Sequence, residues 1–205
     1  MQKFLISNFQ FLKRKAGFTM IELLIVIAVL GILAVAVLSA INPIEQINRG
    51  RDTGGRSDAE QLLSAIERFY TMRGFYPWQV DAETLETDLV WTRVDEVTDG
   101  TTPMLSKLSG ETAATAGTAE LKTSFVEKVS DMTSYQPGPL FLYKGDSDED
   151  SVYVCFNPDS GAFNAEALAR CNATLPDDLV DITGEVCGGT DCGDDPAASA
   201  CICLP

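Results

Sequence analysis

The stretch Lys15-Ala16-Gly17-Phe18-Thr19-Met20-Ile21-Glu22, running on as Leu23-Leu24-Ile25-Val26-Ile27, decides how the rest of the chain is read. From Phe18 to Ile41 Glu22 is the single charge and most residues are apolar. The run exceeds the roughly 20 residues that a helix needs to cross a bilayer core. Lys13, Arg14 and Lys15 precede it. Basic residues on one flank keep that flank in the cytoplasm, so the chain beyond the helix is expected outside. A secretory signal has a shorter apolar core, followed by a small-residue cleavage site. Here the small pair Ala16-Gly17 comes before the apolar run instead. A cut at that point removes a basic leader and leaves the helix attached to everything downstream.

This order of features, on these residues, resembles the processing site of type IV prepilins and type II secretion pseudopilins. The likeness covers about residues 14–45. It implies a membrane aspartyl peptidase that cuts between Gly17 and Phe18 and then methylates the new amine of Phe18. It also implies partners: that peptidase/methylase, an inner-membrane assembly platform, membrane lipid before assembly, and other copies or related pilins in a helical filament.

Glu22 is the residue that a plain anchor does not explain. A carboxylate at the centre of a membrane helix costs about 2.5–3.5 kcal/mol on insertion scales, so such a residue is a functional candidate whose partner must be named. The amine of Phe18, one turn away, is that partner, within the chain or on a neighbouring subunit. The resemblance favours the neighbour, as a registering contact in assembly.

Composition narrows the classes further. The chain has 205 residues, no histidine and a net charge of −15, and all of its 30 acids lie after Gly17. The lack of histidine disfavours His-based catalysis and His-ligated metals. An acidic chain lacks the basic footprint that nucleic acid requires, so no nucleic-acid partner is expected. No nucleophile–base constellation is visible, and the expectation is a structural protein rather than an enzyme.

Beyond the membrane segment, Pro43 predicts a kink near Ser39–Pro43, because proline removes a backbone hydrogen bond and crowds the preceding turn. The segment Arg49-Gly50-Arg51-Asp52-Thr53-Gly54-Gly55-Arg56 is poor helix material. Ser57-Asp58-Ala59-Glu60 reads as a capping box that restarts the helix. Ala59, Leu62, Leu63, Ile66, Phe69 and Tyr70 then recur at helical spacing as one core stripe. Met72-Arg73-Gly74-Phe75-Tyr76-Pro77 supplies stop signals, and an aromatic helix end leading into Gly-x-Tyr-Pro is also similar to many pilins. Thr98–Thr118 reads as loop, with a short helix near Leu121–Met132. Pro139–Lys144 and Ser151–Phe156 are strand-like runs joined as a hairpin, expected in an antiparallel sheet whose one face covers the helix stripe.

Six cysteines, Cys155, Cys171, Cys187, Cys192, Cys201 and Cys203, lie in the last quarter of the chain. Outside the cytoplasm they are expected as three disulfides rather than a zinc site. The pairing expected is Cys155 with Cys171, and the Cys187/Cys192 pair crossing to Cys201/Cys203. Asp146, Asp148 and Asp150 alternate like the start of a calcium loop, but Ser151 and Asn157 stand where glycine and glutamate are needed. A solvated acidic hairpin tip is the expectation there, calcium the alternative; no other cofactor is expected.

The fold expected is α+β: a long N-terminal helix, membrane-spanning in its first half and amphipathic in its second, packed on a small antiparallel sheet with a disulfide-tied C-terminal region. The divisions are 1–17 leader, 18–43 filament-core helix, 44–76 amphipathic helix and 77–205 head. The expected function is a type IV pilus subunit serving adhesion, motility or DNA uptake, anchored by a single pass and then carried into an extracellular filament. A type II secretion pseudopilin is the nearest alternative, and a membrane-anchored binding module that never polymerises is the third.

Overall fold

The computed structural model describes residues 17–84, 88–111, 119–131, 138–147, 149–188, 192 and 200–205. Residues 1–16, which hold most of the expected leader, and Asp148 therefore lie outside the described residues. The chain forms two compact units, one ending at Asn42 and one beginning at Pro43.

Among the described residues the first unit holds helix α1, Met20–Ala40. Thr19 is its N-cap, and Glu22 completes a reciprocal capping box that satisfies backbone donors at the open end. At 1.5 Å per residue its 21 residues span about 31 Å. Apolar side chains surround it, so no face favours a protein core, and none of its residues is buried. The helix runs unbroken through Gly31 and stops at Ala40, with Ile41 in an extended conformation. The interruption expected near Ser39–Pro43 thus falls at Ile41–Asn42.

The second unit opens on helix α2, Pro43–Arg73, 31 residues long. Pro43 takes the first helical position, where a missing N–H is harmless. The expected break at Arg49–Arg56 does not occur, and Ser57 does not restart the helix. The glycines are overruled by polar contacts that the local sequence does not reveal, chief among them the fully buried Asp52. Further along, Ala59, Leu62, Leu63, Ile66 and Phe69 are buried as a stripe. Tyr70 departs from it: 44% exposed, its ring stacks on Tyr76 at 4.4 Å, and Tyr76 stacks on Trp78 at 4.6 Å. The helix ends at Gly74, whose φ of 80° is the left-handed conformation that favours glycine.

Strands β1 (Leu89–Arg93), β2 (Leu140–Lys144), β3 (Val152–Phe156) and β4 (Ile202–Leu204) form one sheet in the order β1-β2-β3-β4, each pair antiparallel. The β2–β3 hairpin is as expected. Leu140, Leu142, Val152, Val154 and Phe156 face the α2 stripe. Short helices α3 (Met104–Leu108) and α4 (Thr123–Ser130) complete that core with Met104, Leu105, Leu108 and Val129. Helix α5 (Gly161–Asn172) adds Ala167. Residues 104–108, expected as loop, are helical because three apolar side chains at i, i+1 and i+4 find this core.

The opposite face of the sheet is covered as well, and the expectation of a single covered face is corrected. Phe141, Tyr143, Tyr153 and Cys155 form a second cluster with Leu179 and Ile182 of a 3-10 helix (Asp177–Ile182) and Val186 of helix α6 (Thr183–Val186). Cys192, Cys201 and Cys203 belong to the same layer. The sequence carries a signal for it: Leu-Phe-Leu-Tyr and Val-Tyr-Val-Cys-Phe do not alternate apolar with polar, as strands buried on both faces do not. Lys144 ends β2 fully buried, its ammonium donating to the carbonyls of Gly145 (3.2 Å) and Ser147 (2.8 Å).

Candidate functional site

The start of α1 carries the residues singled out from sequence. Phe18 is 80% exposed. The Glu22 carboxylate accepts hydrogen bonds from the backbone N–H of Thr19 (3.0 Å) and from its hydroxyl (2.8 Å), while the Glu22 N–H donates to the Thr19 hydroxyl at 3.3 Å. The positive end of the helix macrodipole favours an acid in this first turn. Together these contacts lower the penalty of placing a carboxylate at the edge of an apolar helix. The structure brings Thr19 to Glu22, a pairing that sequence reasoning missed although Thr-x-x-Glu is the capping-box signature.

Beyond Glu22 the helix carries no further charge, and its one hydroxyl, Ser39, donates back to the Val35 carbonyl at 2.8 Å, so its surface is otherwise apolar. Fully covering a Leu, Ile or Val side chain is worth about 1.5–3 kcal/mol, and this helix alone presents more than a dozen of them to its surroundings. It is long and apolar enough to cross a membrane.

All six cysteines are paired. Cys155 bonds Cys203, Cys171 bonds Cys187 and Cys192 bonds Cys201. The expected Cys155–Cys171 pair is corrected, and of the expected crossing pairs Cys192–Cys201 forms. The reason is register: β3 and β4 place Cys155 directly opposite Cys203. That leaves Cys171, at the end of α5, for Cys187 just after α6, their Cα atoms 5.7 Å apart.

The acidic hairpin tip is built around Asp150, whose carboxylate accepts from the Ser147 N–H at 2.9 Å. It packs so closely on Gly145 that a Cβ there would collide with it. Asp146 is exposed. Among the described residues no group of three or more His, Cys, Asp or Glu is placed to hold a metal ion.

Residues 12–38 match the family described as the prokaryotic N-terminal methylation motif, the signature of type IV pilins and pseudopilins. The family is structural rather than enzymatic, and its motif implies processing by prepilin peptidase and assembly with other pilins. No curated protein and no solved structure matches the chain.

Proposed function

We propose that this chain is the precursor of a type IV pilin. It is cleaved between Gly17 and Phe18, methylated on the Phe18 amine, held by α1 in the inner membrane with its head outside, and then built into an extracellular filament by an assembly platform. The observation that carries the reading is α1 itself, apolar on every side, with no buried residue, and charged at Glu22 alone. Lipid can cover such a helix before assembly, and the same helices of other copies can cover it afterwards. In that second setting the Phe18 amine of one subunit meets the Glu22 carboxylate of its neighbour and sets the register. Adhesion, motility or DNA uptake are the tasks of such a filament. The three disulfides favour a pilin, because a head exposed at a filament surface gains from covalent ties.

Intact mass and N-terminal sequencing of protein from membranes and from sheared extracellular material test this reading. A sheared chain beginning at N-methyl-Phe18, six hydrogens lighter for its three disulfides, supports a surface pilin. The same chain confined to membranes points to a pseudopilin of a type II secretion system. An intact leader in both fractions overturns processing altogether and leaves an anchored binding module.

A further inference from the structure

We infer that the first half of α2, residues 43–57, is a conditional helix: a polar latch to the start of α5 holds it in place, and it opens as a unit while the rest of the second unit stays folded. The inference concerns the second unit alone, Pro43–Pro205, and does not depend on the filament reading.

Apolar burial does not hold this segment. The buried residues of α2 before Asp58 are Asp52 and Gly55, while Ile44 and Ile47 are 68% and 56% exposed. Local propensity does not hold it either. Gly50 and Gly54 are not demanded by packing, since a Cβ at either would meet nothing within 4 Å. Each glycine lowers the helical equilibrium about fivefold relative to alanine. A helix of this length without tertiary support is marginal in water.

What holds the segment is a row of side chains one turn apart. The Glu45 carboxylate accepts from the N–H groups of Gly161 (3.1 Å) and Ala162 (3.4 Å). Asn48 donates to the Asp159 carbonyl at 3.2 Å. Asp52 accepts from the N–H groups of Asp159 and Ser160, both at 2.8 Å, and from the Ser160 hydroxyl. Arg56 pairs with Glu166 at 2.7 Å and lies over the Phe163 ring at 4.9 Å. These are directional contacts to α5 and the residues just before it, so they are made or lost together. The fit is also imperfect, since Arg56 Nε and Asn164 Oδ1 are buried without a hydrogen-bond partner among the described residues. From Asp58 onward the apolar stripe takes over. The second unit thus opens on a segment held to the start of α5 by hydrogen bonds that water can replace.

Hydrogen exchange followed by mass spectrometry on the full chain in detergent micelles tests this. In the wild type, amides 46–57 exchange at least tenfold faster than amides 60–69. Asp52→Asn speeds exchange at 46–57 and 161–164 together by tenfold or more, leaving 60–69, β2 and β3 unchanged. Gly50→Ala with Gly54→Ala slows exchange at 46–57 by about 25-fold and restores protection when added to Asp52→Asn. Equal protection of 46–57 and 60–69 in the wild type overturns the inference, as does acceleration throughout the head in Asp52→Asn. If Asp52→Asn does not fold, the alanine pair alone decides, and no change at 46–57 in that variant overturns it.

Discussion

Cys155 of β3 and Cys203 of β4 stand directly opposite each other in antiparallel register, their Cα atoms 4.0 Å apart, and are joined as a disulfide. This bridge ties the C-terminal strand to the central hairpin across a separation of 48 residues. The other two bridges close spans of 16 and 9 residues.

Loop-closure entropy then ranks the three. Replacing Cys155 and Cys203 together by serine should cost about 4 kcal/mol, against about 3 kcal/mol for each shorter bridge. Urea unfolding midpoints of the three double variants check the order. Equal losses would mean that packing in the disulfide layer outweighs chain entropy.

The α2 stripe makes a second contrast. Leu62 and Ile66 are fully buried, whereas Tyr70 is 44% exposed. Leu62→Ala or Ile66→Ala should cost about 2–5 kcal/mol through lost transfer energy and the cavity left behind. Tyr70→Ala should cost well under half of that, because it removes one exposed stacking partner of Tyr76. Thermal unfolding of the three variants measures the difference.

Asp99 predicts the acid behaviour of the head. Its carboxylate meets Lys107 Nζ at 2.6 Å and accepts from the N–H groups of Thr101 and Thr102 at 2.9 and 2.7 Å. Burial pushes this carboxyl up, but Lys107 and the threonine donors outweigh it and hold it well below the usual carboxylate range. A folded pKa below the unfolded one gives stability that is present above the unfolded value, near 3.9, and is lost as pH falls toward the folded value. Asp99→Asn should destabilise the head at pH 7 by about 3 kcal/mol, since Lys107 loses its charge partner. The same variant should flatten the decline of stability below about pH 5. Unfolding midpoints measured from pH 7 to pH 2 test both.

At the alkaline end the sign reverses. Burial, and then the hydrogen bond that the Tyr153 hydroxyl donates to Asp178 at 2.8 Å, raise this phenol above its ordinary range. The stability it contributes is present below about pH 10, where the unfolded phenol is protonated, and is lost as pH rises beyond it. In a spectrophotometric titration of the folded head, Tyr153→Phe should leave the number of tyrosines that ionise near pH 10 unchanged, because Tyr153 ionises only as the head unfolds. The loss of one such tyrosine in the variant would show that Tyr153 titrates normally.

Glu22→Ala separates assembly from anchoring. If the chain is processed as proposed, the variant should still insert and be cleaved, because the apolar run is lengthened rather than broken. It should vanish from sheared extracellular material while remaining in membranes. Unchanged recovery in the sheared fraction would remove Glu22 from assembly.

Much of this protein was determined by local sequence. The order of basic residues, small pair, apolar run and single acid is readable without a fold, because a helix long and apolar enough to span satisfies its own backbone and needs only length and hydropathy. The α2 stripe and the β2–β3 hairpin were legible for a similar reason, each being periodic over a continuous stretch. Only the tertiary structure decided what depends on distant partners. Register across β3 and β4 chose Cys203 rather than Cys171 for Cys155. The loop before α5, about a hundred residues away in sequence, made helix of a glycine-rich segment by offering Asp52 three donors. The second core layer arose because the cysteine-rich tail folds back over strands whose apolar runs announced two buried faces without naming what would cover them. Hydrogen-bond satisfaction and covalent pairing across the chain are properties of proximity, and proximity is what a linear sequence does not state.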